Sequence, residues 1–143
     1  HWSTRTAAEN RAASCGMISE GRMSGLFAVV EDRVVGWCNA ARKSDMTAFA
    51  DDPTPGFDND QVVFMSCFMV APSARGQGAT RALLRGAEDW GRSLGMSLIE
   101  GNPRPKANTP GANHFGPLEL FLSEGYAIDR EGRWDSVYVR KLL

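Results

Sequence analysis

The stretch that most limits how this chain can fold runs from Gln61 to Leu94. Residues 61–70 form a nearly continuous apolar run, rich in Val, Phe and Met, that ends at Ala71-Pro72. A central strand covered on both faces reads this way, because successive side chains must each meet a packed layer. A tight turn follows, Arg75-Gly76-Gln77-Gly78-Ala79-Thr80. Leu83, Leu84, Ala87, Trp90 and Leu94 then recur at helical spacing, with Arg81, Arg85, Glu88, Asp89 and Arg92 on the other side. Gly95 stands where a helix cap belongs, and residues 96–100 open another strand. Strand, glycine turn, amphipathic helix and strand make a βαβ unit, right-handed by default.

The flanking sequence adds antiparallel structure. Alanines 7, 8, 12 and 13 support a helix from Thr6 to about Glu20 that Gly21 stops, and residues 26–30 and 34–38 read as a hairpin across Glu31-Asp32-Arg33. Residues 42–60 are irregular, with turn formers at Asp51-Asp52-Pro53-Thr54-Pro55-Gly56, and loops this long are often functional. A second loop, 101–113, carries Pro103, Pro105, Pro110 and Gly111. A short helical pattern through Leu118, Leu120, Phe121 and Leu122 stops at Gly125, and strands at 126–128 and 134–139 close the chain around Glu131-Gly132. There are no internal repeats. At 143 residues the expectation is one domain, 1–143; because the first residue is His1 rather than Met, an N-terminal element can precede it.

Charge and cysteine usage exclude several classes. A net charge of −1 lacks the Lys/Arg excess of phosphate-neutralising proteins, so nucleic acid is not an expected partner. No apolar run reaches the roughly 18 residues of a membrane span, and the first residues do not lead into a signal core, so the expected location is cytoplasmic. Cys15, Cys38 and Cys67 form no CxxC pair and have no His-rich cluster beside them, so reduced, mostly buried thiols and no metal site are expected.

The glycine turn carries the chemistry. A strand that enters a helix through such a turn leaves free N–H groups backed by the helix dipole, and Arg75 and Arg81 add charge for a diphosphate. The spacing is not that of a P-loop, which needs GxxxxGK, nor of GxGxxG, because Arg81 takes the third glycine's place. The Arg-x-x-Gly-x-small pattern at a strand end and helix start resembles the pyrophosphate loop of the GCN5-related N-acetyltransferases. The order of elements along nearly the whole chain agrees, and Phe121-Leu122-Ser123-Glu124-Gly125-Tyr126 matches the family's aromatic-x-x-x-Gly-aromatic stretch. Gly36-Trp37-Cys38, Glu100-Gly101-Asn102-Pro103 and Gly116-Pro117-Leu118 also resemble a bacterial branch whose members are mostly unassigned as to substrate.

The resemblance implies an α/β (α+β) fold with a mixed, largely antiparallel sheet that splays to admit CoA and is flanked by helices. It implies that Arg75, Gly76, Gln77, Gly78, Ala79, Thr80 and Arg81 hold the diphosphate of acetyl-CoA, the co-substrate. It also implies that Phe68, Met69 and Val70 line the pantetheine arm, with Phe121 at the thioester. Thr80 stands where the family usually has Gly or Ala, and Phe121 where many members have a Tyr that protonates the departing thiolate. A thiolate with a pKa near 8.5 leaves tolerably without that proton.

Direct acetyl transfer needs a neutral amine and hence a proton acceptor. Glu100, at a strand end beside the cleft, and His114, whose ordinary pKa near 6.5 suits proton transfer, are the candidates. Asp45, Asp58 and Asp60 in the first long loop could face a cationic acceptor. The expected function is N-acetyl transfer from acetyl-CoA to a primary amine of a small molecule. The alternatives are a non-catalytic CoA-binding sensor and a protein or peptide N-acetyltransferase. Homodimers are common in the family, so a homodimer is compatible with the resemblance.

Overall fold

A computed structural model of the protein describes residues 4–106, 109 and 112–143. Six strands form one sheet in the order β1-β2-β3-β4-β6-β5, with β1 Gly25–Val30, β2 Arg33–Arg42, β3 Val62–Val70, β4 Leu98–Gly101, β5 Ala127–Glu131 and β6 Val137–Leu142. Only β3 and β4 pair in parallel, and helix α2, Ala79–Ser93, connects them. The remaining pairs are antiparallel, giving the mixed sheet expected.

The βαβ unit follows its sequence pattern. Val63 and Met65 of β3 point to one face, where Leu83, Leu84 and Ala87 of α2 and Phe121 of α3, Leu118–Ser123, complete the main core. Burying each large aliphatic of this set contributes about 1.5–3 kcal/mol. Phe64 points to the other face and packs with Ala41, Met46, Phe49, Phe115 and Tyr138, so residues 43–60 cover that side of the sheet. Gly78 (φ 86°) and Gly95 (φ 69°) flank α2 in left-handed conformations that other residues adopt only under strain. The first helix, α1, Ala7–Ser19, starts at a capping box in which Thr6 Oγ1 accepts from the Glu9 amide while Glu9 accepts from the Thr6 amide.

Four details differ from the sequence reading. Leu94, expected on the apolar face, is 51% exposed, whereas Glu88, expected on the solvent side, is buried. Lys141 of β6 crosses to Glu88 with bonds of 2.9 and 3.0 Å, which satisfies the carboxylate inside the fold. The last strand begins at Val137 rather than Trp134, because Trp134 and Asp135 take positive φ (56° and 57°) and belong to the turn. Strand β2 runs to Arg42, well past the expected Cys38, since it pairs with the whole of β3.

Candidate functional site

Strands β3 and β4 stay paired only over residues 62–65 of β3 and Leu98–Gly101 of β4. β4 then ends while β3 continues to Val70, so the backbone of Phe68, Met69 and Val70 lies beyond the last β3–β4 pair. A bulge marks the opening: Cys67 and Phe68 together face Cys38 of β2, and Cys67 sits at φ 55°. Such a bulge re-aims the side chains of the strand end.

After β3 the chain turns at Pro72–Ala74 and reaches the glycine loop. Gly76 (φ 73°) and Gly78 (φ 86°) need their left-handed conformations, and a Cβ on either would meet open space. Their role is therefore backbone shape and close approach of a ligand rather than packing. Gly78 is the N-cap of α2 and no side chain caps the helix, whose first turn holds no acidic residue. The amides of Ala79, Thr80 and Arg81 precede the first intrahelical bond, from Ala82 to Gly78, and point out of the helix start. Together with the dipole they favour an anion. Arg75 Nε donates to the Val70 carbonyl at 3.2 Å and Gln77 Nε2 to the Ser73 carbonyl at 2.8 Å, which fixes the loop against the strand end.

Two cavities meet here. One of about 270 Å3 is walled by the glycine loop, Thr80, Arg81, Pro117 and Leu120. The other, about 450 Å3, is lined by Phe68, Met69, Val70, Arg75, Thr80, Asn113, His114 and Pro117. Val70, Arg75, Thr80 and Pro117 border both, so they form one groove from the glycine loop to the splay. Its donors, uncapped amides and arginines suit the diphosphate of acetyl-CoA at one end, and its apolar strand wall suits the pantetheine arm at the other.

His114 reaches this groove from a short 3-10 turn, Ala112–Phe115, with its ring 4.2 Å from that of Phe115. Phe121 does not line it. Its side chain has no exposure and packs edge-on against Phe68 (6.1 Å) and Tyr126 (5.2 Å), so it supports the groove from behind Phe68.

Glu100 also lies elsewhere. It pairs in register with Phe64, on the face away from α2, and has no exposure. Lys43 Nζ, equally buried, donates to it at 2.7 Å and to Thr54 Oγ1 at 2.7 Å, while Arg130 reaches its other oxygen at 2.7 Å. Burial pushes the Lys43 ammonium below lysine's ordinary pKa, and the bond to Glu100 acts in the opposite sense. Both Glu100 oxygens are thus engaged within the fold. Thr54 bonds Asn59, whose amide holds the Ala50 and Asp52 carbonyls, and Arg133 and Tyr138 bond Asp52. The long loop is therefore pinned to the sheet. Of the loop carboxylates, Asp60 accepts from Ser44, Asp58 caps the turn before β3, and Asp45 is exposed. Sequence reasoning missed Lys43, Thr54 and Arg130, because no local pattern marks a lysine that will be buried.

The sequence matches the family profile described as Acetyltransferase (GNAT) family over residues 2–111. No curated protein matches it significantly. Among solved structures, a ribosomal-protein-alanine N-acetyltransferase from Brucella melitensis aligns with TM-score 0.65 at 22% identity, covering 96% of this chain and 80% of that one. A GCN5-related N-acetyltransferase from Kribbella flavida aligns with TM-score 0.57 at 26% identity, over 85% and 68%. A phosphinothricin acetyltransferase from Sinorhizobium meliloti, in complex with acetyl-CoA, aligns with TM-score 0.63 at 20% identity, over 97% and 70%. With the profile spanning most of the chain and the fold shared with solved members, the chain belongs to the acetyltransferase (GNAT) family and is an acetyl-CoA-dependent acetyltransferase.

Proposed function

We propose that the acceptor is a primary amine of a small molecule and that the amine attacks the thioester directly, with His114 taking the proton. The observation that carries this is the lining of the groove: among the described residues, His114 is the one titratable proton acceptor beside Phe68, Met69 and Val70, and no carboxylate lines that part. A Lys-rich peptide calls for an acidic surface, whereas among the described residues no carboxylate lines either cavity of the groove. The phosphinothricin acetyltransferase likeness points the same way, and the ribosomal-protein-alanine acetyltransferase likeness names the competing acceptor class.

In this reading the amides of Ala79, Thr80 and Arg81 bind the diphosphate, and the backbone at Phe68, Met69 and Val70 orients the acyl end. His114 accepts the ammonium proton, directly or through water, which makes the nitrogen nucleophilic. Phe121 has no proton to donate, so the CoA sulfur leaves as thiolate, and the proton the nitrogen still carries passes to water or to that thiolate as the amide forms. Glu100, closed off by its partners, holds the loop rather than the substrate. The unpaired thiols Cys15, Cys38 and Cys67 fit a reducing cytoplasm.

Calorimetric titration with acetyl-CoA, followed by an amine screen for thiol release, tests the proposal. Gly78→Glu should remain folded yet lose acetyl-CoA binding, because an anionic side chain would enter the diphosphate site. Retained affinity in that folded variant would show that the diphosphate binds elsewhere.

A further inference from the structure

Beyond the backbone amides at its start, α2 carries two arginines held by one carboxylate. Arg81 and Arg85, one helical turn apart, share a single carboxylate: Arg81 Nε donates to Glu124 Oε1 at 2.7 Å, Arg85 Nε to Oε2 at 2.7 Å, and Arg85 Nη2 to Oε1 at 3.2 Å. Glu124 follows the end of α3, and its backbone carbonyl accepts from Lys141 Nζ at 2.9 Å, which ties the carboxylate to β6. The Glu124 side chain is 9% exposed, whereas the two arginine side chains are 48% and 63% exposed. Two guanidinium charges against one carboxylate leave a net positive charge facing solvent. Arg81 bonds through Nε, which keeps its Nη1–Nη2 edge available for an oxyanion. The bond from Arg85, seconded by Arg81, holds the Glu124 carboxyl below the usual carboxylate range, so it stays ionised at neutral pH. The neighbouring Glu88 is already engaged by Lys141 and Arg92 and does not compete.

Resting on the acetyl-CoA groove described above, we propose that Arg81 and Arg85, braced by Glu124, form a second phosphate site that reads the 3′-phosphate of CoA and so selects CoA thioesters over their dephospho forms. Arg81 borders the diphosphate cavity, and Arg85 continues the same face about 5–6 Å further along α2. In CoA the 3′-phosphate lies one ribose away from the diphosphate and carries a charge of about −1.5 to −2, which suits paired guanidinium groups.

The test compares calorimetric binding of acetyl-CoA and 3′-dephospho-acetyl-CoA to the whole chain and to Arg85→Gln and Arg85→Lys. The unaltered chain should bind acetyl-CoA about tenfold to a hundredfold more tightly than the dephospho form. Arg85→Gln should bring the ratio close to unity by weakening acetyl-CoA alone, and Arg85→Lys should retain part of the discrimination. Equal affinities in the unaltered chain, or an equal loss for both ligands in Arg85→Gln, would overturn the proposal. Failure of either ligand to bind the unaltered chain would instead refute the groove itself, and this proposal with it. Arg85 is exposed, and far-ultraviolet circular dichroism checks that the variants fold.

Discussion

Replacing Lys43 by Met removes one charge from a fully buried pair while keeping a side chain of similar length. Lys43 and Glu100 both have zero side-chain exposure, and their 2.7 Å contact joins residues 57 apart, so an unfolded chain does not hold it. In the variant Glu100 keeps Arg130, at 2.7 Å on one oxygen and 3.4 Å on the other, where Thr54 also lies at 3.4 Å. Breaking a buried pair from one side costs about 3–5 kcal/mol when the stranded charge has no other partner; because Arg130 still holds Glu100, the expected loss lies at the lower end, about 3 kcal/mol. Against a typical total of about 5–15 kcal/mol that is a large share, and for a chain of this size it lowers Tm by about 10 °C or more. Urea unfolding read by tryptophan fluorescence measures it directly. Lys43→Met combined with Glu100→Gln should cost less than the sum of the two single changes, since each removes what the other leaves stranded. Below their melting transitions all three variants should still bind acetyl-CoA, because the pair lies on the face opposite α2. A loss under about 1 kcal/mol, the scale of an exposed ion pair, would refute the reasoning by showing that water reaches the pair. Turnover abolished in a folded Glu100→Gln variant that binds acetyl-CoA normally would return Glu100 to the candidate bases.

Further expectations follow from the same geometry. His114→Gln should lower kcat by about a hundredfold or more while changing the KM for acetyl-CoA far less, and steady-state thiol release with an accepting amine measures the split; an unchanged kcat would remove His114 as the proton acceptor. Gly101→Ala should destabilise by about 1–3 kcal/mol, since the new Cβ would lie 2.8 Å from two atoms of the enclosed Phe121 ring, and a thermal melt reports it. Burial pushes the Cys38 thiol up to about 12 and both Tyr126 and Tyr138 above their ordinary range. The folded state therefore keeps protons that the unfolded chain releases, so this stability is present below about pH 9 and is lost as the pH rises toward 12. Urea midpoints should fall between pH 8 and pH 10.5, and a constant midpoint would contradict the burial of these groups.

How the site divides between helix start and strand end explains the tolerance for Phe at position 121. In the proposed reading the anion is held by backbone amides at the uncapped start of α2 and the acyl end by backbone beyond the β3–β4 pairing, so little of cofactor binding would depend on that side chain. Phe121 instead fills the space between Gly101 and Gly116 and supports Phe68 at the groove wall.

The features legible in the sequence are local ones. The apolar run of β3, the 3.6-residue spacing of α2 and the glycines at 76, 78 and 95 each act through short-range rules: alternation, periodicity and the sign of φ. They mark the glycine turn, the βαβ unit and the mixed fold without any knowledge of long-range contacts. The destinations of the charged residues were decided only by tertiary structure. Glu88 reads as a solvent-side residue and Glu100 as a candidate base beside the cleft, and nothing local marks Lys43, yet each is buried because a partner arrives from a distant strand or loop. Arg81, read as charge for a diphosphate, and Arg85, read as a solvent-side position, show no link to each other until the end of α3 brings Glu124 between them, 43 and 39 residues away. Phe121, expected at the thioester, sits behind Phe68 once the glycines at 101 and 116 close around it. A charge is expensive to bury alone and acceptable when paired, and that balance depends on which residues meet in space, which no local pattern encodes.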